Sequence, residues 1–135
     1  MKKFEILEHV SDLKIRAFGR TKEELFLNML FGMSENLKPE TKDGEKTKRE
    51  IKIKSNELST LLVDFLSEVL YLSQVNKEAY FEINFKKFSE TEIEAELFGQ
   101  KVERFNEDIK AVTYHKLELK QKEDGFWEAI VLFDI

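Results

Sequence analysis

The chain has 135 residues, of which 41% are hydrophobic and 36% are charged, and its formal net charge is −5 at pH 7. This size and apolar content suit one folded domain, residues 1–135, and exclude an intrinsically disordered chain. The net negative charge argues against a sequence-independent grip on nucleic-acid phosphates, which requires clustered Lys and Arg. The sequence has no Cys, which excludes disulfides and thiolate nucleophiles, so any bound metal would need oxygen or imidazole ligands.

Neither the N-terminus nor the most apolar segment is typical of a membrane-targeting sequence. MKKFEILEHVSD contains two lysines but no apolar run of signal-peptide length, and residues 58–72 are interrupted by Asp64 and Glu68. We therefore expect a cytoplasmic protein with no membrane partner.

The first predicted elements are a strand and a helix. Residues 12–19, DLKIRAFG, alternate polar and apolar side chains, as in a half-buried strand. Thr21 and Glu24 then form the pattern of a capping box, which predicts that a helix begins here. Around Pro39 and Gly44 the apolar periodicity stops, which predicts a loop. The inward face of the helix is expected to carry Leu25, Met29 and Met33.

The rest of the chain predicts further strands and a second, longer helix. Residues 49–54, REIKIK, alternate as a strand, and two more alternating segments are AYFEINF and IEAEL. Residues 110–135 form a long hairpin that turns at Asp124-Gly125. The fold class is therefore α+β, a single domain with a mixed or antiparallel sheet of about six strands and two main helices. The longer helix starts near Asn56 and is expected to bury Leu58, Leu61, Leu62, Phe65 and Val69.

Residues 38–54 concentrate positive charge. They hold seven basic and four acidic residues, a net charge of +3 that leaves −8 for the rest of the chain. An RNA contact would explain this excess, but so would the solvated face of a loop that leads into a strand. Because surfaces of mixed sign are normal in folded proteins, the pattern favours the solvated face.

Asp134 stands out because it follows an apolar strand. Both faces of the strand predicted over residues 127–135 are apolar, which is typical of an interior strand. A buried carboxylate there would cost several kcal/mol unless it met a cation, hydrogen-bond donors or water. An Asp134 that protrudes into solvent avoids this cost, and this segment alone favours that simpler alternative.

A second carboxylate, Asp12, lies at the entrance of the first alternating strand, where an Asp often forms a turn or a cap. If this strand and the last strand were neighbours, Asp12, Asp134 and the terminal carboxylate of Ile135 could converge on one divalent cation. An all-oxygen ligand set suits Ca²⁺, Mg²⁺ or Mn²⁺. The spacing permits this site but does not pair the two strands.

Four stretches of the sequence, EHVSDLKIRAFGRTKEELF, LLVDFLSEVLYL, IKAVTYHKLEL and the terminal VLFDI, occur in this order over nearly the full chain. Together they resemble the archease family, the small activators of RtcB-type RNA ligases. The resemblance implies an accessory protein without catalytic residues of its own. It would help the ligase to complete its GTP-dependent guanylylation and to turn over repeatedly. The ligase joins tRNA halves, so tRNA and GTP are expected to be reached through the ligase.

The resemblance also implies roles for four residues. In archeases the Asp of the first motif and the closing Asp-Ile bind a divalent cation, and these positions correspond to Asp12, Asp134 and Ile135. Ca²⁺ is the ion most expected in a structure, with Mg²⁺ and Mn²⁺ as alternatives. The functionally needed Lys of the KAVTYH motif corresponds to Lys110. The chain departs from the family's common residues, without losing an expected ligand, at Val10, Ser11 and Phe18.

Lys110 also has a plain structural interpretation, as a cation on a solvated strand face shared with Tyr114. The alternative is a contact with a phosphate or an acidic patch of a partner. His115 is expected on the opposite face, packed or hydrogen-bonded in the core. His9 is expected to be similar, or to support Asp12 from behind as an indirect contact of the metal.

Enzymatic functions are less consistent with the sequence. His9, Ser11 and Asp12 are the residue types of a hydrolase triad, but in an extended segment Ser11 would face away from both neighbours. The five glycines are scattered, so the sequence contains neither a P-loop nor a dinucleotide fingerprint. Two alternatives to the ligase activator remain: a metal-dependent phosphodiester hydrolase, and a chaperone or modulator of RNA-modifying enzymes.

Overall fold

The computed structural model describes residues 2–7 and 12–135, and this part of the chain contains two helices and seven strands. The predicted α+β class and its two main helices are confirmed. In chain order the elements are β1 (Phe4–Leu7), β2 (Asp12–Gly19), α1 (Lys22–Asn36), β3 (Pro39–Lys54), α2 (Leu58–Asn76), β4 (Glu78–Phe88), β5 (Glu92–Phe105), β6 (Ala111–Gln121) and β7 (Trp127–Asp134).

The described strands form two sheets, whereas the sequence predicted one. The first sheet has the order β1-β2-β7-β6 and the second the order β3-β5-β4, and all of these pairings are antiparallel. β7 is therefore an interior strand, as its two apolar faces predicted. The short strand β1 has only four residues and no clear alternation, which explains why the sequence did not indicate it.

Both helices pack against both sheets and share one core. α1 lies against β2 and β4, and α2 lies against β6, β3 and β4. Thr21 caps α1, because its Oγ1 accepts a hydrogen bond from the N–H of Glu24 (3.1 Å). The Glu24 carboxylate accepts from the N–H of Arg20 rather than of Thr21, which is a variant of the predicted capping box. The inward residues predicted for the two helices are all buried: Leu25, Met29, Met33, Leu58, Leu61, Leu62, Phe65 and Val69.

By length and composition, α2 is also the one described helix that could cross a membrane. Its inward face, however, contributes Leu61, Leu62 and Phe65 to the core. The core helix of a folded protein can be as long and apolar as this one, so α2 is only weak evidence for a membrane.

The predicted loop around Pro39 and Gly44 is wrong, because β3 already begins at Pro39. Its pairing with β5 shifts register twice between Glu40 and Lys46. Such irregularities interrupt the side-chain alternation from which a strand is recognised in a sequence. The loop prediction failed for this reason.

Farther along β3, lysines face glutamates of β5. Lys48 Nζ lies 3.1 Å from a Glu96 carboxylate oxygen, and Lys54 Nζ lies 3.4 Å from a Glu92 oxygen. Opposite charges paired across strands contribute to sheet stability, although exposed pairs contribute little each. Part of the positive charge of residues 38–54 is therefore paired within the sheet, which agrees with a solvated structural face.

Glu78, the first residue of β4, is a fully buried carboxylate. Arg49 of β3 donates two hydrogen bonds to it, from Nε to Oε1 (2.9 Å) and from Nη2 to Oε2 (2.8 Å), and the Tyr80 hydroxyl donates a third. Burial alone raises the pKa of Glu78, but these bonds outweigh it and hold the pKa below its ordinary value of 4.5. Gly99 of β5 pairs with Tyr80, and a Cβ on Gly99 would lie 2.7 Å from Tyr80 Cδ1, so a side chain there would clash.

Candidate functional site

Asp12 and Asp134 lie directly opposite each other in the first sheet. Asp12 begins β2, Asp134 ends β7, and the register of the two strands pairs them. On the other side of β7, Ala111 at the start of β6 also pairs with Asp134. Residues directly opposite in an antiparallel pair have Cβ atoms about 4.5–5.5 Å apart. The structure therefore brings together two carboxylates whose strands the sequence alone could not pair.

The two carboxylates lie on the outer surface of the sheet. The next residues inward, Leu13 and Phe133, also pair with each other and are buried in the core. Because side chains alternate along a strand, Asp12 and Asp134 turn away from the core. Asp134 is exposed and Asp12 is half-buried, so neither is a buried, unpaired charge. This agrees with the simpler expectation for Asp134, that it reaches solvent.

Ile135 lies next to this pair and is 45% exposed. It helps to line a cleft of about 220 Å³ at this end of the molecule. Asp108, which the sequence patterns did not indicate, also lines this cleft, whereas Asp12 and Asp134 do not. The other lining residues are Leu13, Asn36, Lys38, Glu107 and Ile109.

Lys110 lies at the same end of the sheet, immediately before β6. Its N–H donates a hydrogen bond to the Asp134 carbonyl oxygen (2.7 Å). The preceding residue, Ile109, is buried, and its carbonyl accepts a hydrogen bond from Gln74 Nε2 of α2 (2.9 Å). The exposed side chain of Lys110 lines a cleft with Tyr71 of α2, on the helix side of the sheet. The carboxylate pair and the lysine therefore share one end of the sheet but lie on different faces of it.

His115 is exposed, so the prediction of a packed core residue is wrong. Residues 114–117 of β6 face a single residue of β7, Val131, in an irregular pairing. A bulge of this kind breaks the strict alternation of faces on which the prediction relied. Lys116, with a φ of 53°, lies in the left-handed region within the same bulge.

The described residues at the Asp12–Asp134 end offer oxygen ligands. His9 and Ser11, which the sequence placed near Asp12, lie outside the described residues. Within the described residues, no three His, Cys, Asp or Glu side chains come together as a metal cluster. Two carboxylates together with the main-chain oxygens of Ile135 would make an all-oxygen ligand set, which fits a hard divalent cation better than zinc.

Two antiparallel sheets around two helices, with a carboxylate pair at one sheet end, define a small α+β domain with a candidate cation-binding end. The sequence profile of the Archease protein family (MTH1598/TM1083) matches residues 4–135. The chain belongs to this family, and the resemblance noted in its motifs is confirmed.

A curated relative and two solved structures agree with this assignment. The protein archease of Methanosarcina barkeri is 39% identical over 142 residues, which cover 99% of this chain and 97% of the relative. The solution structure of Methanobacterium thermoautotrophicum protein 1598 superposes with a TM-score of 0.72 at 24% identity, over 100% of both chains.

The second solved structure is a Thermotoga maritima archease, described as a possible chaperone. It superposes with a TM-score of 0.71 at 19% identity, over 96% of this chain and 94% of that one. At these identities the two structures support the fold alone. Membership of the family supports an accessory role and indicates no family of enzymes.

Proposed function

We propose that this protein activates an RtcB-type tRNA-splicing RNA ligase. It would promote the GTP-dependent guanylylation of the ligase and its multiple turnover in tRNA splicing and RNA repair. Asp12, Asp134 and Ile135 would hold a divalent metal ion, with Ca²⁺, Mg²⁺ and Mn²⁺ as candidates. The protein would act in the cytoplasm and reach tRNA and GTP through the ligase.

The observation that carries this proposal is the pairing of Asp12 with Asp134 at the end of the first sheet. Two carboxylates on facing strands repel each other unless a cation or water screens them, so this arrangement favours the binding of positive charge. Asp134 is exposed, which leaves room for a ligand from a partner or from solvent. A bound divalent cation would offset the negative charge that develops on a triphosphate during nucleotidyl transfer.

The protein's own groups have separate tasks in this proposal. Asp12 and Asp134 bind and orient positive charge on the outer face of the sheet. Lys110 lies on the helix face, where its ammonium group can contact a phosphate or an acidic patch of the ligase. The hydrogen bond from the Lys110 N–H to the Asp134 carbonyl keeps these two regions in a fixed relation.

The alternatives differ from this proposal in what the isolated protein can do. A metal-dependent phosphodiester hydrolase would need a general base or a phosphate clamp beside the metal, and neither was evident in the sequence. A chaperone or modulator of RNA-modifying enzymes would act without the carboxylate pair. The description of the Thermotoga relative as a possible chaperone concerns that protein.

The test is a reconstitution with the cognate ligase, GTP and one divalent metal at a time. We expect covalent guanylylation of the ligase and repeated ligation to increase when the protein is added, and to depend on the metal. The isolated protein should neither hydrolyse GTP nor cleave or join RNA. Multiple turnovers by the isolated protein would support the hydrolase, whereas metal-independent protection of the ligase from aggregation would support the chaperone.

A further inference from the structure

One face of α2 carries apolar side chains that are exposed to solvent. Tyr71 and Val75 are 57% and 60% exposed, and Tyr114 of the neighbouring strand β6 is 55% exposed. These three are half of the six large hydrophobic side chains that are exposed in the described part of the chain. We call Tyr71, Val75 and Tyr114 the α2 face. Large apolar groups gathered on one surface are typical of an interaction site.

The α2 face is continuous along the helix. Residues spaced by three or four positions lie on one side of a helix, and Asp64, Glu68, Tyr71 and Val75 follow this spacing. The Tyr114 hydroxyl donates a hydrogen bond to the Asp64 carboxylate, which joins β6 to the helix. The α2 face is thus a single surface built from two elements.

The α2 face also reaches the candidate site. Tyr71 and Lys110 line one cleft of about 230 Å³ between α2 and the start of β6. The backbone of Lys110 is bonded to Asp134, as described above. A partner that contacted Lys110 would therefore also lie close to Tyr71, and could place a side chain in the cleft that the two residues line.

The charges on this surface indicate which class of partner it suits. Asp64 and Glu68 line a groove with Tyr71 and with Lys52 and Lys54 of β3. Each of these lysines is paired with a glutamate of β5, whereas the two carboxylates of the helix have no cation paired with them in the described part of the chain and would repel nucleic-acid phosphates. Exposed aromatic side chains are enriched at protein interfaces, and here they alternate with charged groups along one surface. The complementary surface would carry an apolar side chain flanked by basic residues.

We propose that the α2 face is the docking surface through which this protein holds its protein partner. This inference rests on the proposed function, since the partner is the ligase named there. It assigns affinity to Tyr71 and Val75, and leaves the activating step to the Asp12–Asp134 pair. Truncation of the docking residues should therefore weaken binding without lowering the maximum activation.

The test compares a double variant, Tyr71→Ala with Val75→Ala, against the unmodified protein and a matched control. Ile6→Ala is the control, because Ile6 is 46% exposed on β1, outside the α2 face. Each protein is titrated into the ligase with GTP and metal, and both the half-saturating concentration and the maximum rate of guanylylation are measured. We expect the double variant to raise the half-saturating concentration by about tenfold or more, as for central interface contacts. Its maximum rate and thermal unfolding should match those of the unmodified protein, and Ile6→Ala should change neither quantity.

Other results would overturn the inference in distinct ways. An unchanged half-saturating concentration in the double variant would refute the docking surface, while Asp134→Ala would still test the proposed function by its maximum rate. A dimer of the unmodified protein that the double variant abolishes, seen by sedimentation, would assign the face to a second copy. RNA binding lost in the double variant would assign the face to RNA. Failure of the unmodified protein to activate the ligase would refute the proposed function and this inference together.

A charge reversal gives a second, independent readout. Glu68→Lys keeps the apolar groups of the α2 face but inverts one charge at its edge. We expect it to slow association with the ligase, and the difference from the unmodified protein should shrink as salt is added. Association that is unchanged at low salt would contradict the basic complementary surface.

Discussion

Asp12 and Asp134 face each other across β2 and β7, although they lie near opposite ends of the sequence. Neither residue has a carboxylate partner nearby in its own strand, so their pairing exists only in the folded sheet. A substitution at either position, although the two are distant in the sequence, therefore breaks the same carboxylate pair.

Asp12→Ala and Asp134→Ala should each lower divalent-cation affinity by at least about tenfold, because each removes one of the charged oxygen donors of the site. Each should also abolish activation of the ligase. Calorimetric titration with Ca²⁺, Mg²⁺ and Mn²⁺, together with a guanylylation assay, measures both effects. Since Asp134 is exposed and Asp12 half-buried, the free energy of unfolding in chelator should change by less than about 1 kcal/mol.

The matched control for this pair is Glu123→Gln, which removes an exposed carboxylate near the turn of the final hairpin. It should leave both cation affinity and activation unchanged. A variant at Asp12 or Asp134 that activates normally would show that this residue has no role at the site.

Lys110→Glu should impair activation of the ligase without weakening metal binding. The Lys110 side chain lies on the helix face, whereas the carboxylate pair lies on the outer face of the sheet. The substitution inverts a charge assigned to partner contact and keeps the backbone hydrogen bond to Asp134. Lys122→Glu, an exposed lysine near the hairpin turn, is the control. Lost metal affinity with full activation would reverse the assignment.

The sequence predicted those elements whose local pattern matched their final environment. DLKIRAFG alternates over the whole of β2, and the apolar spacing of α2 matches its buried face. The motifs also named Asp12, Asp134 and Lys110. Their proximity could not be derived, because strand pairing between distant segments depends on the whole core and not on local spacing.

The errors have local physical causes. The pairing of β3 is irregular near its start, so side-chain alternation indicates a strand only over residues 49–54. The bulge in β6 between Thr113 and Glu118 interrupts the alternation of faces, and His115 within it is exposed to solvent. The sequence did not indicate that Gln74 bonds the segment before Lys110, since an amide side chain on a helix is usually solvated.

Glu78→Gln should lower the free energy of unfolding at pH 7 by about 2 kcal/mol, because it replaces a buried charge-assisted pair by weaker bonds to Arg49. Part of the Arg49 side chain reaches solvent, so the loss should stay below that of a wholly buried pair. Denaturant unfolding measures the difference. Glu50→Gln, at an exposed carboxylate paired with Lys86, should change the free energy by less than about 0.5 kcal/mol.

The same pair makes a prediction about pH. The pKa of Glu78 is lower in the folded protein than its ordinary value of 4.5, so the unfolded chain binds more protons in acid. The stabilisation by Glu78 is thus fully present above that ordinary value and is lost as the pH falls through the folded pKa. The free energies of unfolding of the unmodified protein and of Glu78→Gln should therefore converge as the pH falls below 4.5. A difference that stays constant down to about pH 3 would contradict the ionised pair.

Adding a few Gly and Ser residues after Ile135 should lower metal affinity and ligase activation together. The extension converts a charged carboxylate into a neutral amide carbonyl and crowds the coordination position beside Asp134. The same extension placed before Met1 is the control. If Asp134 merely protrudes into solvent, the extension should change neither quantity, because exposed ends tolerate additions. Equal binding and activation in the extended and unmodified proteins would exclude a role for the free carboxylate.

The buried pair Leu13 and Phe133, next to the two aspartates, has a consequence for the accuracy of the site. A slip of β7 by one residue against β2 would separate Asp12 from Asp134, and it would also turn Phe133 and Val131 out of the core. Such a slip is costly because it exposes large apolar side chains to water. Burial of these side chains in the core thus fixes the strand register, and with it the positions of two surface carboxylates. Substitutions that loosen the packing around Phe133 should widen the range of distances between these carboxylates while the protein is still folded.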